Sequence, residues 1–172
     1  MKTKPTTNSI AIVAIVLLSV IIIQARCNGQ TFELQNGTKT GHAFTTKSGT
    51  ISALHVGGLA FDYYYPGMDL MIDTRSKSDQ GYSTSDRPPA YFIDRRGKRH
   101  KIEAIGKHHL HTVTSMRFFP GESGMPIFAS DGSVCCVVLG NAFLNGRWKG
   151  RAARIEPLLE SIRSNTDTER SK

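Results

Sequence analysis

The chain has 172 residues, and 22 Lys+Arg against 14 Asp+Glu give a formal net charge of +8. Hydrophobic residues make up 39% and charged residues 21%, a balance that excludes a largely unstructured protein and suits one domain of ordinary size.

The first element is a targeting segment. Ile10 to Ile23 contains no polar residue except Ser19, Lys2 and Lys4 precede it, and the small residues Ala25, Cys27 and Gly29 follow. Residues 1–29 are therefore expected to be a secretory signal peptide or an uncleaved signal anchor. A helix from Ile10 to Ala25 reaches only about 24 Å, short of the roughly 30 Å hydrocarbon core, which favours cleavage. The expected localisation is secreted, or membrane-tethered through this segment, with no other membrane contact. Export makes Asn36-Gly37-Thr38 a glycosylation acceptor at Asn36. Without the leader, 19 basic residues face 14 acidic ones, a net of +5.

Short strands with frequent turn signals follow, the pattern of an all-β domain expected over residues 30–164. They are predicted at Thr31–Leu34, Gly41–Thr46, Thr50–Leu54, Asp69–Ile72, Ala90–Ile93, Lys101–Ile105, Thr112–Arg117, Pro126–Phe128, Val134–Leu139 and Arg151–Ile155. Thr74 to Pro89 is polar and aperiodic, a surface loop or interdomain connection. The basic run Arg95 to Lys101 reads as a hairpin tip. It has no interleaved aromatics to stack on bases, so nucleic acid is not an expected partner. Only Glu156 to Ser164 reads as helix, with Pro157 in its first turn and Leu158, Leu159 and Ile162 on one side. Residues 165–172 are polar and expected to be a disordered tail. Cys135 and Cys136 are adjacent in an apolar run and point to opposite faces of a strand, so they read as buried thiols, with no disulfide framework.

Three places carry chemistry. In Phe119-Pro120-Gly121-Glu122-Ser123-Gly124-Met125-Pro126 a serine stands between two glycines just before a strand. Acyl transfer needs a turn in which the nucleophile projects while backbone N–H groups converge on the developing oxyanion, and Gly121 and Ser123 are the natural donors. The base is expected from His55, which an apolar run delivers to its exit before Gly57-Gly58. His42 reads as packed or locally bonded. His108, His109 and His111 are crowded, but a strand would split them between its faces, so no metal and no cofactor is expected. The third member is a carboxylate that orients the imidazole. Asp69 follows a Pro66-Gly67 turn and opens an apolar strand; Asp62 and Asp73 are its rivals.

Taken together, these motifs resemble the chymotrypsin-like serine proteases, and most closely the alphavirus (togavirus) capsid protease family. The likeness rests on Gly41-His42-Ala43 leading to Leu54-His55-Val56, on Met68-Asp69-Leu70-Met71, on Gly121-Glu122-Ser123-Gly124-Met125-Pro126-Ile127, and on Val138-Leu139-Gly140-Asn141. The resemblance implies two small antiparallel β-barrels with a short C-terminal helix, the site lying between them. It implies a serine endopeptidase with catalytic His55, Asp69 and Ser123, and it ranks Asp69 above its rivals. It implies a protein or peptide substrate lying along Val138, Leu139, Gly140 and Asn141, and it raises self-processing as an activity. The chain departs from the family in four respects. A hydrophobic leader replaces the basic arm, and only 14 residues separate His55 from Asp69. Glu122 and Met125 stand beside the nucleophile where the family has Asp and Arg, and the chain ends in Lys172 rather than tryptophan. No Asp precedes the nucleophile turn, where Met116 to Phe119 stand, so an apolar or aromatic residue is expected at the cleavage point. The alternative reading is a catalytically inactive, protease-like binding module.

Overall fold

The computed structural model describes residues 31–57 and 61–170. The signal segment and Cys27 lie outside these residues, and no helix among them is long and apolar enough to cross a membrane.

Twelve strands among the described residues form two antiparallel sheets. The first holds β1 (Thr31–Asn36), β2 (Lys39–Thr46), β3 (Gly49–Ala53), β4 (Tyr63–Tyr65) and β5 (Leu70–Asp73), in the order β1-β2-β3-β5-β4. The second holds β6 (Tyr91–Ile93), β7 (Arg99–Lys101), β8 (Ala104–His108), β9 (His111–Thr114), β10 (Pro126–Phe128), β11 (Val134–Leu144) and β12 (Arg147–Arg154). Its order is β7-β6-β10-β11-β12-β9-β8. Among the described residues the end strands of each sheet do not pair with each other, so both sheets are open where the sequence predicts barrels. Edge strands β4 and β7 have three residues each, too few to carry the stagger that closure needs.

Local chemistry sets the hairpins. The Thr46 hydroxyl accepts from the N–H groups of Ser48 and Gly49 and donates to the Gly49 carbonyl, closing the β2–β3 turn and placing Ala43 opposite Ser52. In the basic hairpin, Asp94 accepts from the N–H groups of Arg96 and Lys98 and from His100 Nε2. The Arg99 guanidinium lies 3.7 Å from the centroid of the Tyr91 ring. The connection from β5 to β6 is pinned to both sheets, by a parallel bridge of Thr46 with Tyr82 and another of Thr84 with Val134. Tyr82 packs edge-on against Phe44 of the first sheet and Phe128 of the second.

One core runs across the two sheets. Phe44, Ile51 and Leu70 from the first meet Val137 and Leu139 from the second and Ile155 just after β12, all buried. A second cluster around Phe92, Phe118, Ile127 and Cys136 fills the interior of the seven-stranded sheet. Cys135 and Cys136 are both buried free thiols. The helix α1 (Glu156–Arg170) docks Leu158 and Leu159 on the shared core. It continues past Ser164, where the sequence pattern ends, as far as Arg170. The polar face of α1 is tied to β4, since the Tyr63 hydroxyl bonds Ser161 Oγ at 2.5 Å and accepts from Asn165 Nδ2 at 3.1 Å. The apolar pattern cannot register bonds of that kind.

Four strands are longer than predicted, β1 and β2 by two residues each and β11 and β12 by more. β11 and β12 run on to a hairpin tip where the rings of Phe143 and Trp148 meet edge to face at 5.4 Å, both exposed. A bulge at Leu139 shifts the β11 register between Val138 and Gly140. Strand β10 pairs with β11 no further than Val137, so from Leu139 onward that side of β11 carries no strand among the described residues.

Candidate active site

His55 and Asp69 come from one side of the first sheet. β3 ends at Ala53, and a turn closed by Val56 N–H to the Ala53 carbonyl at 3.1 Å swings His55 outward. Asp69 caps a single 3-10 turn, Pro66–Met68, in the left-handed region with φ 57°, a conformation that aspartate tolerates better than most residues. Its backbone carbonyl accepts from Leu54 N–H at 2.9 Å, so the two turns are locked together. The carboxylate then binds His55 twice: Oδ2 accepts from Nδ1 at 2.7 Å and Oδ1 from the His55 backbone N–H at 3.0 Å. Arg151 of β12 brings Nη2 to 4.0 Å from Oδ2. The rival carboxylates are engaged elsewhere, Asp62 with Thr74 and Asp73 with Arg75 and Ser76.

Ser123 comes from the second sheet, on the turn before β10. Its carbonyl accepts from the backbone N–H of His42 at 2.7 Å. Gly41 shows how tightly the elements converge, because a Cβ there would lie 2.5 Å from Val56 and 2.9 Å from the Ser123 carbonyl oxygen. The neighbour of His55 and the serine thus share one glycine. No hydrogen bond joins His55 Nε2 to Ser123 Oγ in this structure, and in unliganded sites such bonds are commonly long.

The turn itself is built to present N–H groups. Glu122, Gly124 and Met125 donate to Phe119, Val138 and Glu122 carbonyls, whereas the N–H groups of Gly121 and Ser123 have no acceptor among the described residues. Gly121 holds φ 87°, which glycine adopts without steric cost. His42 braces the turn, since its Nδ1 donates to the Gly121 carbonyl at 2.9 Å while its backbone holds Ser123. Burial lowers the His42 pKa, favouring the neutral ring, although the Gly121 carbonyl pulls it upward. His42 is packed, as one of the two sequence readings has it, but its ring bond is not local and spans 79 residues, a contact that only the tertiary fold creates. Replacing His42 by leucine strips the Gly121 carbonyl of its donor. The rate at which a fluorophosphonate labels the serine is expected to fall about tenfold, with the melting temperature checked to separate misfolding from misplacement.

Glu122 is 2% exposed, and its Oε2 accepts from Phe119 N–H at 2.6 Å. Burial raises its pKa and outweighs the lowering from that N–H and from Arg95. A raised folded-state pKa contributes stability below the unfolded value of about 4.5, and the contribution is lost as pH climbs through the folded value. Glu122→Gln keeps an acceptor for Phe119 and does not titrate. Its melting temperature is expected to gain on wild type between pH 4.5 and pH 8, and a constant difference across that range would contradict the assignment.

The remaining predicted residues are accounted for. Val138 donates to the Met125 carbonyl and accepts from Gly124, while Leu139, the bulged residue, is buried. Gly140 pairs with Arg151 of β12 and has no strand on its other side among the described residues, and Asn141 turns its side chain to Phe118. Asn36 ends β1 beside exposed Gly37 and Thr38. His108 and His109 stack edge-on at 4.4 Å while His111 stands on β9, half-buried, and no group of three His, Cys, Asp or Glu among the described residues could hold a metal ion.

No family model matches the sequence, and no curated protein matches it. Solved structures do. The Rv3671c protease of M. tuberculosis, inactive form, aligns with a TM-score of 0.55 and 15% identity, over 83% of this chain and 91% of that one. A human pathogenic astrovirus serine protease aligns with a TM-score of 0.55 and 18% identity, over 76% of this chain and 91% of that one. At these identities the likeness is one of architecture, and the architecture is chymotrypsin-like.

Proposed function

We propose that the chain is a serine endopeptidase that hydrolyses peptide bonds through Ser123, His55 and Asp69. The observation that supports the reading is the doubly bonded His55–Asp69 pair set against a Gly-x-Ser-Gly turn whose Gly121 and Ser123 N–H groups lack protein acceptors. Ser123 Oγ attacks the substrate carbonyl carbon, and its proton passes to His55 Nε2. Asp69 holds Nδ1 protonated, which keeps Nε2 free to accept, and stabilises the imidazolium. The carbonyl oxygen becomes an oxyanion held by the N–H groups of Gly121 and Ser123. The proton then moves to the leaving amine as the C–N bond breaks, and water repeats the sequence to free the acid. The unpaired side of β11 beyond Val138 offers the substrate an edge on which to add as a strand, along Leu139, Gly140 and Asn141.

The sequence motifs ally this peptidase with the alphavirus capsid type, for which self-processing is a further activity. The leader and the Asn36 sequon favour secretion or tethering at a membrane surface. Fluorophosphonate treatment of the folded chain is expected to give one adduct, mapped by mass spectrometry to Ser123 and lost after denaturation. The absence of an adduct, or one elsewhere, would overturn the reading. A protease-like binding module is the second reading, favoured by the missing His55–Ser123 hydrogen bond, and it predicts no adduct.

A further inference from the structure

A substrate laid along β11 with its carbonyl at Ser123 must direct its acyl-side side chain between two segments, residues 117–121 before the nucleophile and residues 138–141 of β11. In this chain that gap is stitched shut. Asn141 Oδ1 accepts from the Phe118 N–H at 2.9 Å, and Asn141 Nδ2 donates to the Phe118 carbonyl at 2.8 Å. Both hydrogen-bonding groups of the Phe118 backbone are therefore committed to the opposite wall. The Phe118 ring is 3% exposed and meets Phe92 edge-on at 5.3 Å. It also fills the space over β12, where a Cβ on Gly150 would lie 2.6 Å from Phe118 Cε2, 2.3 Å from Thr114 Oγ1 and 2.2 Å from the Met116 carbonyl oxygen. Asn141, Gly150 and Thr114 are register partners across β11, β12 and β9, so the ring lies on a continuous row of backbone.

Resting on the peptidase reading, we infer that Phe118 fills the acyl-side pocket from within and that the enzyme cleaves after small residues, glycine, alanine or serine. A large side chain has to expel a core phenylalanine or break both Asn141 bonds before its carbonyl can reach Ser123. The preference for an apolar or aromatic residue expected from Met116 to Phe119 is thereby turned around: the aromatic residue is the protein's own. The sequence places Phe118 near the pocket but does not say which way the ring points.

The test uses the full chain and three peptidyl diphenyl phosphonates that differ only in the acyl-side residue, alanine, phenylalanine or lysine. The alanine probe is expected to inactivate at least about 100-fold faster than the other two. Equal or faster inactivation by the phenylalanine or lysine probe overturns the inference while leaving the peptidase reading intact. Failure of every probe, with no fluorophosphonate adduct, overturns both. Phe118→Val is expected to raise the rate with the phenylalanine probe about tenfold relative to the alanine probe, and an unchanged ratio in a variant with native circular dichroism counts against the plug. Should the variant not fold, the wild-type panel alone decides.

Discussion

Asp69→Asn is expected to lower the rate of fluorophosphonate labelling by about 10⁴-fold while leaving the fold in place. The reason lies in the two bonds that the carboxylate makes to His55. One of its partners, the His55 backbone N–H, is a donor that cannot be changed. In the asparagine variant that N–H claims the amide oxygen, and the amide NH2 is left facing Nδ1. Nδ1 must then accept, the proton moves to Nε2, and the nitrogen that should take the serine proton already carries one. Asparagine also tolerates the left-handed backbone at this position, φ 57°, so the loss is one of tautomer rather than of folding. Nitrogen NMR of the His55 ring checks the cause directly. A protonated Nδ1 in the variant would contradict the argument even if the rate fell.

Gly124→Ala is expected to have the largest effect on stability. A Cβ at this residue would stand 1.9 Å from the His42 carbonyl oxygen and 3.0 Å from Ser52 Oγ, and the first of these is backbone within a paired strand. Ser52 Oγ itself donates to that His42 carbonyl at 2.7 Å, so neither group can retreat without breaking the other's bond. The backbone at Gly124 has φ 85°, a conformation costing a residue with a side chain about 1–2 kcal/mol. With the clash added, the penalty is expected to exceed about 4 kcal/mol, a fall in melting temperature on the order of 10 °C or more. Gly97→Ala is the matched control. Its φ of 78° is similar, but nothing lies within 4 Å of the new Cβ, so it should lose only the conformational part. Equal losses in the two variants would show that the close approach of the two sheets at Gly124 carries no weight.

The sequence made the candidate catalytic residues legible more readily than those that hold them. Ser123 is announced by the glycines around it, and His55 by the apolar strand that delivers it. Asp69 is announced by the turn before it, because a Pro-Gly pair and a following strand leave few conformations for the residue between them. Strand β10 is predicted to its exact ends, since Pro126 starts it and the turn at Asp131-Gly132 follows closely. β4 escaped notice, because Tyr63–Tyr65 is a three-residue strand whose partner, β5, is the only reason it is extended. The bracing role of His42 and the filling role of Phe118 escaped for another reason. Each depends on a contact between residues far apart in the chain, and no local pattern distinguishes a buried ring that props a turn from one that only packs.

The paired rings of Phe143 and Trp148 give the protein an unusual optical signature. Trp148 is the single tryptophan of the chain, and it is 51% exposed. Its native-state emission is therefore expected to lie toward that of a hydrated indole, with a small shift on unfolding. A peptide that extends along the open side of β11 as far as Phe143 would displace water from the pair and move the emission to the blue. On the proposed peptidase reading, intrinsic fluorescence is then expected to follow peptide occupancy of β11 more closely than folding.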